Sequence, residues 1–279
     1  MPELPEVECL SRAIRKLVLG GTLEDAKFYR EDLREPIPKA RFRKLLNHQT
    51  ITAVSRRSKY LLLETSESIG IFHLGMSGKI LAYDESKPQL KHTHAVFKVR
   101  GPSQNLVYLH FVDPRRFGFI NCCTREELAD HRFFKHLGPE PLATKDLAGY
   151  LFKKSRNRRV PIKNFLMNAQ VVVGVGNIYA NESLFRSRIH PLELAANIPL
   201  EQFKLLGKEI KKTLKEAIKS GGTTLKDFQN PVGDPGYFSL SLKVYGRENE
   251  PCVDCDHTVE KSVLGNRATY FCPECQVLA

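Results

Sequence analysis

The first eight residues, Met1-Pro2-Glu3-Leu4-Pro5-Glu6-Val7-Glu8, bring together groups that could do chemistry. Removal of Met1, expected where the next residue is small, leaves Pro2 as a terminal secondary amine. An α-amino group titrates near ~8, so a fraction is neutral and nucleophilic at pH 7. A neutral amine can attack a sugar aldehyde carbon and form an iminium, as lysine amines do in Schiff-base enzymes. Glu3 follows at once, and Glu6 comes three residues later. On a helix, i and i+3 share a face, so the two carboxylates would stand one turn apart beside the amine. Pro5 suits a first helical turn, where no N–H is needed. The plain alternative is an acidic helix start favoured by the helix dipole.

The other chemical signal closes the chain. Cys252-x2-Cys255, sixteen residues, then Cys272-x2-Cys275 is the spacing of a four-thiolate zinc site. Such a site has no open coordination position. The expected Zn2+ is therefore single and structural, and a zinc-hydrolase mechanism is disfavoured. Asn266-Arg267-Ala268-Thr269 lies between the pairs, on the hairpin the metal would brace. Taken alone, Arg267 is a surface arginine. Cys9, Cys122 and Cys123 remain, and an odd total of seven argues for a reducing compartment without a disulfide framework.

These groups need elements to hold them. At 279 residues the chain is long enough for two domains. Lys+Arg exceed Asp+Glu by 43 − 31 = 12, which favours a polyanionic partner: nucleic acid first, an acidic membrane second. No apolar run is long enough to span a bilayer, and no secretory signal opens the chain. Val7, Leu10, Ile14, Leu17 and Val18 form a helical stripe that Gly20-Gly21 ends. From Thr22 to Asn121 short strands follow: 51–54, 60–63, 69–74, 79–83, 95–99, 106–111 and 117–121. Their number and spacing predict a two-sheet sandwich or barrel. Basic clusters at 39–44, 56–59 and 113–116 sit at its connections. His92 and His94 would share one face of a strand, a weak metal pair better suited to phosphate or structure. Gly138-Pro-Glu-Pro141 reads as a linker.

The second half is helical, with a basic run at 153–159 and a helix from Pro161 to Asn168. A glycine turn, Gly174-Val-Gly176, then leads into a helix ending near Arg188. Tyr179 stands where a dinucleotide fingerprint needs glycine, so that reading fails. Phe203, Leu206, Ile210, Leu214 and Ala217 stripe a long amphipathic helix whose lysines face water. A polar stretch, Thr223 to Ser241, has the length of a functional or disordered loop.

Taken together, the motifs resemble the formamidopyrimidine-DNA glycosylase family over essentially the whole chain. The resemblance rests on the opening Pro-Glu-Leu-Pro-Glu-Val-Glu, Ser58-Lys59-Tyr60-Leu61, His73-Leu-Gly-Met-Ser-Gly78 and Asp113-Pro-Arg-Arg-Phe-Gly118. It is completed by His136-Leu-Gly-Pro-Glu-Pro-Leu142, Gly174-Val-Gly-Asn-Ile-Tyr179 and the terminal cysteines. It implies an α+β fold: an N-terminal two-sheet β-sandwich with flanking helices, a helix–two-turn–helix module and a zinc-finger β-hairpin. The implied parts are a catalytic domain (1–133), a linker (134–150), a DNA-binding helical domain (151–222), a lesion-capping loop (223–245) and the zinc hairpin (246–279). Duplex DNA would run through the cleft between domains.

The resemblance also implies a reaction. A damaged purine, 8-oxoguanine or a ring-opened formamidopyrimidine, must leave the stack before its C1′ can be attacked. Pro2 would displace the base and form the Schiff base, with Glu3 as proton donor in base removal and Glu6 in support. Lys59 would donate a proton in β-elimination, and Arg267 would serve δ-elimination and hold phosphate, leaving a one-nucleotide gap. Met76, Arg115 and Phe117 would refill the emptied stack. His92, Arg158, Lys163 and Asn177 would contact DNA, mostly at phosphates. Thr93 stands where the family commonly has Asp, a departure that touches the support of His92. The expected partner is damaged double-stranded DNA and no membrane, for a monomer in the bacterial cytoplasm at the nucleoid. The rival readings are an endonuclease VIII-like enzyme for oxidised pyrimidines, whose relatives usually open Pro-Glu-Gly-Pro-Glu, a non-catalytic zinc-ribbon nucleic-acid binder, and an interaction scaffold.

Overall fold

The computed structural model describes residues 2–222 and 241–278. Most of the polar stretch expected to cap a lesion, 223–240, lies outside the described residues. The chain divides into two units: Met1–Lys135 with Ser220–Tyr237, and His136–Lys219 with Phe238–Ala279.

In the first unit, helix α1 spans Leu4–Val18. Its Val7, Leu10, Ile14 and Val18 are fully buried, as the stripe predicts. Each such side chain contributes about 1.5–3 kcal/mol over an exposed one. Eight strands follow: β1 (Thr22–Phe28), β2 (Ala53–Arg57), β3 (Tyr60–Glu64), β4 (Ser68–His73), β5 (Lys79–Tyr83), β6 (Thr93–Arg100), β7 (Leu106–Val112) and β8 (Phe119–Thr124). They form two antiparallel sheets, ordered β1-β6-β7-β5 and β2-β3-β4-β8. One core joins both sheets with α1 and α2 (Lys39–Leu46), and the rings of Phe28, Phe42, Phe72 and Phe97 meet in it, largely edge-on.

Two elements here correct the sequence reading. The basic cluster at 39–44 is not a connection but helix α2, anchored by Phe42 and Leu46 at i and i+4. Three of its four cations are engaged within the unit: Lys39 pairs with Glu31, Arg41 with Glu127, and Arg43 Nε donates to the Ala26 carbonyl at 3.0 Å. Strand β1 is additional, and a register shift between Leu23 and Asp25 breaks the alternation that would have announced it.

The second unit packs helices α3 (Leu147–Ser155), α4 (Ile162–Met167), α5 (Asn177–Arg186) and α6 (Leu200–Lys219) with the antiparallel hairpin β9 (Glu260–Leu264) and β10 (Arg267–Phe271). Helix α3 begins inside the expected linker, where the Asp146 side chain caps the Gly149 N–H at 2.8 Å. Helix α6 buries Phe203, Leu206, Ile210, Leu214 and Ala217, as its periodicity predicts. Among the described residues no helix is long and apolar enough to cross a membrane.

Candidate active site and metal centre

The first unit gathers most of the candidate residues. Glu3 caps α1, and Glu3 and Glu6 form a reciprocal capping box in which the Glu3 N–H donates to Glu6 Oε2 at 2.8 Å. Both acids are 3% exposed, and Pro2 is buried beside them. The capping box is what the plain alternative requires, and the burial of both acids beside Pro2 comes in addition to it. Gly222 comes against Glu6, where an added Cβ would lie 3.3 Å from Glu6 Cγ and Oε1, and its φ of +88° suits glycine. The chain thus enters residues 223–240 beside Glu6.

Lys59 occupies the two-residue turn between β2 and β3, bounded by the Arg57–Tyr60 pair. Ser58, the other turn residue, is buried and left-handed, with φ 57°. Tyr60 pairs across to His73, which stacks on Phe119 at 5.2 Å and accepts the Gly75 N–H on Nδ1 at 3.0 Å. Burial, and then the Lys59 and Arg34 charges, push His73 down to about 4. It is therefore a neutral neighbour of Lys59.

Met76, Arg115 and Phe117 project from two loops stitched together beneath them. Asp113 is fully buried; its carboxylate accepts Ser77 Oγ–H at 2.8 Å and the Gly118 N–H at 2.7 Å. Gly75, at φ +61°, lies so close that a Cβ would meet the Phe117 carbonyl carbon at 2.3 Å. Above this joint Met76 is 37% and Phe117 43% exposed, with the Arg115 guanidinium over the Phe117 ring at 4.9 Å. Exposed apolar tips on a rigid base are what a base-stack wedge needs.

The shared face expected for His92 and His94 does not form. Strand β6 starts after His92, and its register slips between Thr93 and Ala95. His92 is exposed and left-handed, with φ 67°, whereas buried His94 donates from Nε2 to the Asp113 carbonyl at 2.8 Å. Thr93 is buried, and its Oγ1 has no hydrogen-bond partner among the described residues.

In the second unit the candidates converge on β10. Gly265 and Asn266, both left-handed, make the hairpin turn that leads into exposed Arg267. Lys163 is 0% exposed; its Nζ donates to the Ala268 carbonyl at 2.8 Å and to Thr269 Oγ1 at 2.7 Å. Asn177 Nδ2 donates to the same Ala268 carbonyl at 3.0 Å. Lys163 and Asn177 thus bond the strand that carries Arg267, alongside the phosphate contacts expected of them. Arg158 is exposed just beyond α3.

The four cysteines stand within 4.8 Å of one another, ligand atom to ligand atom, with Sγ separations of 3.9, 3.5 and 3.4 Å among their pairs. Tetrahedral Zn–S bonds of ~2.3 Å require about 3.8 Å between sulfurs, so the cluster fits zinc. The hairpin's apolar cluster is small, Val244, Val259, Phe185 and the cysteines with Tyr270 packed against them, while Val263 is exposed. Cys252, Cys255, Cys272 and Cys275 are the ligands of one structural zinc, which contributes folding energy and no reaction chemistry.

Comparison with known proteins agrees with this geometry. The model for the formamidopyrimidine-DNA glycosylase N-terminal domain matches residues 1–120, that for the H2TH domain of the same enzyme matches 137–229, and a zinc finger found in FPG and IleRS matches 249–277. The chain belongs to the formamidopyrimidine-DNA glycosylase family. Formamidopyrimidine-DNA glycosylases of Hydrogenovibrio crunogenus and Vibrio cholerae are 46% and 45% identical to it, over 99% of this chain and 96% and 100% of theirs. Among solved structures, the MutM (Fpg) protein of Thermus thermophilus aligns with a TM-score of 0.86 at 36% identity, covering both chains fully. A Lactococcus lactis Fpg mutant bound to Fapy-dG-containing DNA aligns at 0.90 with 30% identity, over 99% of this chain and 100% of that one.

Within this glycosylase family frame, residues that sequence reasoning passed over do much of the positioning. Glu182, fully buried on α5, accepts the N–H groups of Lys243, Val244 and Tyr245 at 2.9–3.1 Å, fixing the chain where it leaves 223–240. Asn181 binds the Tyr270 N–H at 2.9 Å. Arg156 bonds the carbonyls of Ala195 and Ile198, so part of the 153–159 basic run is structural. A charged residue inside an otherwise apolar helix face was the available signal for Glu182.

Proposed function

We propose that this protein is a bifunctional DNA glycosylase and AP lyase that excises oxidised purines, 8-oxoguanine and formamidopyrimidines, from duplex DNA. The observation that carries the reading is the buried Pro2–Glu3–Glu6 cluster at the head of α1. With Met1 removed, the Pro2 amine attacks C1′ of an extruded nucleotide. The C1′–N bond breaks, and the departing base takes its proton through Glu3. The sugar ring then opens: the C1′–O4′ bond breaks, O4′ takes a proton, and an iminium on Pro2 remains, which acidifies the C2′ hydrogen. Loss of that proton expels the 3′ phosphate in β-elimination, with Lys59 as proton donor. Arg267 serves the second elimination, at the 5′ side, and its phosphate.

Extrusion costs a few kcal/mol of stacking. Met76 and Phe117 offset it by entering the gap, and Arg115 offers a fork of donors to the orphaned base. His92 and Arg158 neutralise phosphates, and Lys163 and Asn177 hold the Arg267 strand. The family name and the lesion named in the Lactococcus lactis complex support a purine substrate.

Borohydride reduction with 8-oxoguanine duplex is expected to trap a covalent adduct through Pro2. Glu3→Gln is expected to abolish base release while duplex binding survives. Absence of the adduct from Met1-processed protein refutes the amine mechanism, and persistent base release in Glu3→Gln refutes the acid assignment.

A further inference from the structure

Arg56 sits in a basic cluster that a charge argument assigns to DNA, yet its side chain is only 8% exposed. Its guanidinium is divided between two elements. Nε donates to Glu8 Oε2 at 3.1 Å, and Nη1 donates to the Ser58 carbonyl at 2.8 Å. Glu8 lies on α1, one turn after the capping box, and its other oxygen accepts Arg12 Nε at 2.8 Å. The Ser58 carbonyl belongs to the peptide that leads into Lys59. One planar side chain thus ties the turn bearing Lys59 to the helix that Pro2 and Glu3 lead into.

The turn needs such a tie. Ser58 is held left-handed, a conformation that costs a non-glycine residue ~1 kcal/mol or more and persists only where its surroundings enforce it. A lysine in place of Arg56 could reach one partner as a point charge but could not hold both in a fixed fork. Burial pushes the Glu8 carboxyl up, yet the hydrogen bonds and charges of Arg12 and Arg56 hold it below the ordinary range, so it is an anion.

We propose that Arg56 is a positioning residue that sets Lys59 against the Pro2 iminium, and so governs strand cleavage in preference to base release. This rests on the roles of Pro2 and Lys59 proposed above. Displacing a reacting group by about 1 Å can cost ~100-fold in rate.

The test is Arg56→Lys, assayed in single turnover on an 8-oxoguanine duplex and on a preformed abasic duplex. Cleavage of the abasic duplex is expected to slow 10- to 100-fold. Base release and duplex affinity are expected to stay within threefold, and borohydride-trapped adduct to accumulate ahead of nicked product. In a Lys59→Ala background the same change is expected to add no further loss, which a general loosening of the sandwich would not reproduce. Should Arg56→Lys lower the unfolding midpoint, the same measurements on Glu8→Gln decide, with a smaller loss in the same direction. Unchanged cleavage, equal losses in base release and cleavage, or a loss of duplex affinity overturns the proposal. Failure of the underlying amine mechanism shows separately, as absence of any adduct from the native protein.

Discussion

Lys163 offers a direct contest between two roles. A lysine in a basic protein is ordinarily assigned to phosphate, but here its ammonium is buried against β10. Consider Lys163→Met, which keeps the stem and removes the charge. Two hydrogen bonds from a charged donor are worth about 1.5–3 kcal/mol each. These values are already net of desolvation, and because the two bonds share one ammonium and Asn177 keeps one of the acceptors, the loss falls at the low end, about 2–3 kcal/mol. Asn177 still holds the Ala268 carbonyl, so the hairpin loosens without detaching. At ~1.4 kcal/mol per tenfold, amide exchange across 260–271 is expected to quicken by about 30- to 150-fold. Exchange in α6 serves as the internal reference and is expected to be unchanged. Hydrogen–deuterium exchange with mass spectrometry reads both segments. Exchange within threefold of native, together with a salt dependence of duplex binding shallower by about 0.9 in log–log slope, refutes the reasoning and returns Lys163 to a phosphate.

Three further outcomes are expected. A strong chelator releases one zinc per chain, and limited proteolysis then cuts within 249–277 while the N-terminal sandwich keeps its melting temperature. His73 is held at about 4 against an ordinary 6.5, so between those values the unfolded chain binds a proton that the folded one does not. Stability therefore falls as pH drops from about 6.5 to 4, by about 3 kcal/mol at most, and His73→Gln flattens that limb of a denaturation–pH series. Burial pushes Cys122 up to about 12 and Cys123, beside Glu127 as well, up to about 11, so both stay protonated thiols. Iodoacetamide at pH 8 is expected to leave them unlabelled in folded protein and to modify them after denaturation.

The parts of the fold that could be read directly are those whose spacing is dictated by local chemistry. Val7, Leu10, Ile14 and Val18 repeat with the helix, and the cysteine pairs repeat with the metal's demand. Helix α2 stayed hidden because only Phe42 and Leu46 of its eight residues are buried, leaving its charges to dominate the pattern. Strand β1 was masked by its register shift, and His92 was misplaced by the slip at the start of β6. Arg56, Lys163 and Arg156 share a different difficulty. Each has at least one partner from a distant segment, Glu8, Ala268 and Ala195 respectively, and nothing in a run of basic residues says which members face inward.

The joint beneath Met76, Arg115 and Phe117 has a consequence for how such proteins diversify. The anchoring is done by Ser77, Asp113, Gly75 and Gly118, and Arg115 joins it only through its backbone N–H, 3.3 Å from Ser77 Oγ and Asp113 Oδ1, so the exposed side chains of the three tips take no part in the Ser77–Asp113–Gly118 bonds. Tool and handle are therefore different groups. Under the proposed stack-filling role, a lineage, or a protein engineer, can retype the tips and sample new preferences for the base left behind without remaking the handle that aims them.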